Sequence, residues 1–322
     1  MSLIYHYTSS QGLLGILQYQ FLRLTHVKFL NDSRELYHGV DVITESLTNE
    51  LVKLKNLEEP SILNNNPLLG FAGLGFKPEK ISSFVYPENI QQADNAIDCL
   101  LGHINYYSEI SPFYTTSFCL QGDKLRQWSA YCPEGGYSIG FDKSTMDNSN
   151  IETNKKHPEL NLTVNAIDYS KKTSLETLLK DFILEVKNLT TIHKQIEDED
   201  KFRDEFSNWF TRLKGLAYKY THLALQHKEC NFKDEEEVRT TLSFENHLHI
   251  NKIDDFQTEF FTKGCLVIPF KKLFFQKEAI KEIIVGPMQH QELACISLME
   301  LRHKFGLKFK IIKSNIPLRT FQ

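Results

Sequence analysis

The sequence predicts an α+β domain, and three observations carry that expectation. Short runs rich in β-branched and aromatic residues recur along the chain, as in YTTSF at 114–118 and VRTTLSF at 238–244. Between them lie longer segments whose apolar residues step by three or four, the pattern of helices that bury one face. Proline and glycine are spread without a clear linker and no internal repeat is evident, so residues 1–322 read as one domain carrying a helical insertion at about 173–226.

Each element follows from its own residues. Residues 3–8, LIYHYT, form a strand on which His6 and Thr8 share one face and Tyr5 and Tyr7 the other, and His6 reads either as a core-edge histidine bonded to a backbone carbonyl or as a site residue. Ser9 or Ser10 then caps a short helix carrying Leu13, Leu14, Ile16 and Leu17. FLRLTHVKFL at 21–30 is a second strand. The segment from 31 to 56 is a long helix with Leu36, Val40, Ile43, Leu47, Leu51 and Leu54 in one stripe. Asp32 and Glu35 have capping-box spacing at its start, which accounts for both and leaves Asn31 as a candidate cleft residue. Residues 57–90, rich in Asn, Gly and Pro, read as an irregular excursion, and a helix follows to 110. Further strands are expected at 112–120, 137–142 and 162–170, with a helical or irregular connection at 123–132 and a PEGG turn. The insertion is a helical hairpin, striped by Leu179, Phe182 and Leu189 and then by Phe206, Phe210, Leu213 and Tyr220. EVRTTLSFE, GCLVIPF and IKEIIVGP return to strand, and a helix at 291–306 leads into the strand that begins at 307.

Composition narrows the classes. Of 322 residues, 41% are hydrophobic and 24% charged, an ordinary globular balance with length enough for a large core. A formal net charge of −4 gives no global attraction for nucleic acid or an anionic membrane, although a local basic patch remains open. No apolar run reaches the roughly 20 residues that span a bilayer, and MSLIYHYTSS has no secretory pattern, so a cytoplasmic location without membrane contact is expected. The six cysteines make no CxxC pair and read as reduced thiols. There is no GxGxxG, Walker or G-x-S-x-G spacing, and His222, His227, His247 and His249 lack a metal-site pattern, so no metal ligand is assigned.

Three stretches remain that carry chemistry. On FYTTSFC, Thr115 and Ser117 share a face and could bind a ribose, or simply reflect the β-propensity of hydroxyl residues. In QWSAY, Trp128 and Tyr131 lie on one side of a helical turn and could be core or wall a flat heterocycle. In EEEVR, Glu235, Glu237 and Arg239 would share one face of a strand, where paired acids beside an arginine suit acid–base work.

Taken in order, YHYTS…GILQ, LND…E, TTSF, QWSAY…GGYSIGF, EEEVR, IIVGP and KSNIPLR make the chain resemble a family of bacterial proteins known as domain of unknown function 2971. More remotely, the strand bearing His6 and Thr8 before a short helix is similar to the start of many ADP-ribosyltransferases. That resemblance implies two small mixed or antiparallel sheets forming a cleft, with NAD as substrate. It implies His6, with Tyr7 and Thr8, on the ribose, and Thr115, Thr116 and Ser117 as the hydroxyl strand. Asn31, Trp128, Tyr131 and Arg239 would complete the NAD site, with Glu237 catalytic and Glu235 beside it. It further implies a toxin or antiviral effector, a phage-defence role, with a protein or nucleic acid as acceptor and a regulatory partner. The alternative is a non-enzymatic nucleotide- or protein-binding sensor that uses the same cleft. A hydrolase or nuclease holding a metal on Glu235 and Glu237 is the weakest reading.

Overall fold

A computed structural model of the chain describes residues 2–30, 35–57, 92–110, 113–169, 176–244 and 256–317. The first part contains β1 (Leu3–Thr8), α1 (Ser10–Tyr19), β2 (Phe21–His26), α2 (Glu35–Leu57) and α3 (Gln92–Ile110). Then come β3 (Tyr114–Cys119), α4 (Leu125–Tyr131), β4 (Tyr137–Asp142), α5 (Lys143–Lys156) and β5 (Leu160–Ala166). Two long helices follow, α6 (Glu176–Gln195) and α7 (Glu199–Ala224), and then β6 (Glu237–Phe244), β7 (Glu259–Lys263) and β8 (Leu266–Phe274). The chain closes with β9 (Ile280–Val285), α8 (Gln291–Phe305) and β10 (Lys310–Lys313). Asn31, the Asp32 cap and the excursion after 57 lie outside the described residues.

The chain divides into two compact units, one of Met1–Ser33, Pro112–Tyr169 and Glu229–Gln322, the other of Arg34–Ser111 and Ser170–Lys228. The first unit holds all ten described strands in one hydrogen-bonded system, with the path β10-β9-β4-β1-β3-β2-β8-β7 and β5 and β6 attached to β3 through β6. It is a large mixed sheet: only the β9–β10 pair is parallel. The architecture is therefore α+β.

The sheet forks at β3. One edge of β3 pairs with β6 over six residues, from Tyr114 opposite Leu242 to Cys119 opposite Glu237. The other edge is shared: β2 takes Tyr114 and Thr115, whereas β1 takes Cys119 alone, through Tyr5. Beyond Tyr5, β1 stays beside β4 up to the pair Thr8–Tyr137 and leaves β3. The expectation of two small sheets is corrected: the ten described strands form one hydrogen-bonded sheet, because β3 pairs with β1, β2 and β6 alike.

One face of this sheet is apolar. Ile4, Phe118, Ile139, Phe141, Leu242 and Ile283 pack there with Leu13 and Leu17 of α1 and Leu298 of α8. Ser9, not Ser10, caps α1, its side chain accepting from the Gly12 amide at 3.2 Å. Two elements were not legible in the sequence. In α5 only Met146 and Asn150 are buried, so there is no apolar stripe to see; its first turn is organised by Asp142, which accepts from Ser144 and Thr145 hydroxyls. The five-residue β7 is an edge strand held by β8 alone among the described residues.

The second unit is helical and contains α2, α3, α6 and α7. The hairpin read at 173–226 supplies α6 and α7, and the earlier pair completes the unit. Its core uses the stripes expected of it: Val40, Ile43 and Leu47 of α2, Phe182 and Leu189 of α6, and Leu213 and Tyr220 of α7 are buried. Gly39 is fixed by packing, because a Cβ there would stand 2.0 Å from the Ala224 carbonyl oxygen. Between α6 and α7, Trp209 donates to the Glu185 carbonyl at 2.9 Å and Arg212 bonds the Glu185 carboxylate at 3.1 Å.

Lys271 of β8 stands on the apolar face of the first unit at 0% exposure. Its ammonium donates to the Phe256 carbonyl and to Thr258 Oγ1, and lies over the Tyr114 and Phe244 rings. Burial pushes its pKa down from 10.5 to about 8. Between those values the unfolded chain binds the proton and the folded chain does not, so stability rises as pH climbs from about 8 to 10.5. The expected gain is on the order of 3 kcal/mol. Denaturant titrations across that range, in wild type and Lys271→Met, should show this slope in the former and its loss in the latter.

Candidate functional site

The polar face of the fork is assembled by register. Residues paired across an antiparallel ladder share a face, so Ser117 and Arg239, Cys119 and Glu237, and Thr115 and Thr241 point the same way. Tyr5, opposite Cys119, belongs to that face, and so does Tyr7 two residues on. His6 therefore points to the other face, where its ring meets Phe118 at 5.9 Å. The His6 side chain thus points away from those of Thr115 and Ser117: one residue of strand offset sends it to the apolar side.

His6 nevertheless contacts the same residue through the backbone. Its Nδ1 lies 3.1 Å from the Ser117 carbonyl oxygen, where β1 has left the ladder. A carbonyl only accepts, so Nδ1 carries the proton and Nε2 is left as an acceptor. Burial lowers the imidazole pKa and favours that neutral form.

Ser117 in turn donates from Oγ to Glu237 Oε1 at 2.5 Å. Arg239 donates to the same oxygen from Nε at 2.9 Å and from Nη2 at 2.7 Å. Glu237 is 6% exposed and Arg239 2%, so this is a buried, hydrogen-bonded ion pair. The Glu237 amide donates to the Tyr169 hydroxyl at 3.0 Å, fixing the start of β6. A continuous chain of contacts thus runs His6–Ser117–Glu237–Arg239 across three strands.

Glu235 does not join it. The strand begins at Glu237, and Glu235 ends a 3-10 turn (Cys230–Glu235). Glu236 is left-handed at φ 45, which breaks the alternation that would align Glu235 with Glu237. Glu235 instead faces Arg126 at 3.7 Å and Glu236 faces Lys124 at 3.4 Å, both ion pairs to the loop and helix before Trp128.

The remaining candidates separate into framework and surface. Thr115 donates to the Thr240 carbonyl at 2.9 Å, an inter-strand bond that occupies its hydrogen. Thr8 ends β1, half-buried, with its Oγ1 against Gly12. Tyr7 packs edge-on against Trp128 at 4.6 Å, and its hydroxyl donates to the Gln121 carbonyl and accepts from the Lys124 amide. These bonds pin the loop after β3. Trp128 is 3% exposed and Tyr131 43%, so of the aromatic pair the first is core and the second is surface. A Cβ on Gly286 would come within 2.8 Å of the Trp128 ring, so that indole is closely packed.

Sequence reasoning missed Asp123. It accepts from Trp128 Nε1 at 2.7 Å, from Ser314 Oγ at 2.6 Å and from the Asn315 amide at 3.3 Å. The KSN stretch at 313–315 was visible as a motif, but its partner 191 residues away was not. Cys119 and Cys132 are buried and burial raises both thiols, Cys132 to about 11, which disfavours a thiolate nucleophile. Among the described residues no three His, Cys, Asp or Glu side chains group as a metal-ligand set, and no helix is long and apolar enough to cross a membrane.

A family model described as "Protein of unknown function (DUF2971)" matches residues 127–240. The match covers Trp128, Tyr131, β4 and β5 and ends within β6, so it includes Glu237 and Arg239 but neither His6 nor Ser117. Comparison with curated proteins and with solved structures gives no match.

Three substitutions measure what holds this site. Arg239→Ala leaves Glu237 as a buried carboxylate without its cation, and a loss of about 3–5 kcal/mol in unfolding free energy is expected. Trp128→Ala empties a close-packed position and should cost about 3–5 kcal/mol, whereas Tyr131→Ala should shift the melting temperature little. Urea unfolding of the three variants checks the ranking.

Proposed function

We propose that the chain is an NAD-using ADP-ribosyltransferase-like enzyme, with the site at the fork between β1, β3 and β6. The observation that supports it is the hydrogen-bonded series His6–Ser117–Glu237–Arg239. Cleavage of the nicotinamide–ribose bond develops positive charge on the sugar, as glycoside cleavage does. Glu237 is the group to meet that charge and to accept a proton from the attacking hydroxyl or amine. Ser117 and Arg239 hold its carboxylate on one oxygen, and His6, from the other face, holds the Ser117 backbone through its carbonyl. Trp128 is assigned to the framework, which leaves Tyr131 as the exposed aromatic for the nicotinamide ring. Acceptor classes are protein or nucleic acid, and the physiological setting proposed is a bacterial cytoplasmic toxin or antiviral effector with a regulatory partner.

One observation favours a second reading. Glu237 is nearly closed to solvent and one of its oxygens already receives three donors. The same pair could lock a sheet in a nucleotide- or protein-binding module that does no chemistry.

Nicotinamide release from NAD, followed with and without cell extract, separates the two. The transferase reading expects release by wild type and a fall of about 10²–10⁴-fold in Glu237→Gln with NAD binding retained. NAD binding without release supports the module. Neither binding nor release, with any extract, overturns the NAD reading altogether.

A further inference from the structure

A cluster of cations far along the sheet path from β6 has no part in that site. Lys281 of β9, Arg302 of α8, and Lys308 and Lys310 beside and on β10 line a depression of ≈ 460 Å³ whose apolar lining is Leu307 and Phe309. The cations come from three segments: a strand, a helix end, and the connection into the edge strand that pairs with β9. Among the described residues none of the four forms an ion pair. Arg302 donates to the Phe309 carbonyl at 3.1 Å, and the field of Lys281 reaches Asp142.

Four cationic residues border one depression in a chain whose net charge is −4. Lysines on an edge strand commonly deter strand addition, and cations suit a helix C-terminus. Those roles account for Lys310 and for Arg302 separately. They do not account for Lys281 and Lys308 bordering the same depression.

We infer that this hollow is a phosphate-binding site for a single nucleic-acid strand. Several cations around one depression match the charge density of successive phosphodiesters better than that of isolated peptide carboxylates. The site is a shallow, open depression whose apolar residues Leu307 and Phe309 are buried, so it has no protruding apolar anchors for a bilayer surface. The site is independent of NAD chemistry, and it stands or falls separately from the transferase reading.

The test is fluorescence anisotropy of a labelled single-stranded 12-nucleotide RNA and its DNA equivalent, titrated with the full chain across sodium chloride concentrations. Wild type is expected to bind, with log affinity falling as log salt rises by about 0.7 per phosphate neutralised. Lys308 and Lys310 are exposed, so the pair Lys308→Glu and Lys310→Glu should keep the melting temperature while weakening binding at least tenfold and flattening that salt slope by about 1.4. Polyglutamate and phosphatidylserine vesicles serve as competitors and should displace the oligonucleotide poorly. Absence of binding by wild type, unchanged affinity in the double variant, or equal displacement by either competitor overturns the inference. None of these outcomes involves nicotinamide release.

Discussion

Much of this molecule depends on the missing ladder between β1 and β3. A strand inside a sheet must satisfy its backbone groups on both edges, because an orphaned buried carbonyl costs about as much as a lost hydrogen bond. Here β1 pairs with β3 at a single position and then departs beside β4. The Ser117 carbonyl at that departure is met by a side chain, the Nδ1 of His6. An imidazole thus stands where a peptide amide would otherwise donate. The fork, the tautomer of His6 and the position of Ser117 are consequences of one substitution of partner.

The second constraint is the buried carboxylate. Glu237 opens β6 at a point where alternation has just been broken by the left-handed Glu236. The break separates two acids that are adjacent but for one residue. Glu235 goes to Arg126 of α4, and Glu237 goes inward to Arg239 and Ser117. Desolvating an unpaired carboxylate would be expensive, and an arginine two residues along the same strand face supplies the compensating charge without a long-range contact. Whatever chemistry the site performs, its geometry is set by β3 and β6, the six-residue ladder that keeps Ser117 opposite Arg239.

Around this pair the loop after β3 is held from three sides. Tyr7 bonds its backbone twice, Asp123 ties it to Trp128 and to the 314–315 segment, and Lys124 reaches Glu236. The pairing of Asp123 with the C-terminal segment, 191 residues distant, brings the end of the sheet path onto the framework of the site. The basic hollow by β10 lies on the same closing segment but draws its charges from β9 and α8 as well.

Local pattern determined a great deal. Alternation placed nine of the strands, three-and-four spacing placed the long helices, and Val40, Ile43, Leu47, Phe182, Leu189, Leu213 and Tyr220 of the stripes became buried, while Phe206 and Phe210 are half-buried. Pattern missed α5, whose face carries almost no apolar residue, and β7, too short to show a period. The hydroxyl strand, Glu237 and Arg239 were visible as residue types on one face. What only tertiary structure decided was who meets whom: Ser117 with Glu237 across 120 residues, His6 with a carbonyl rather than with the hydroxyls, and four separate cations with one hollow. The reason is physical. Periodicity records which side of a strand or helix is buried, a local property of side chains and backbone. Pairing and register are fixed by closing long loops against competing partners, and a single residue of offset reverses every side chain.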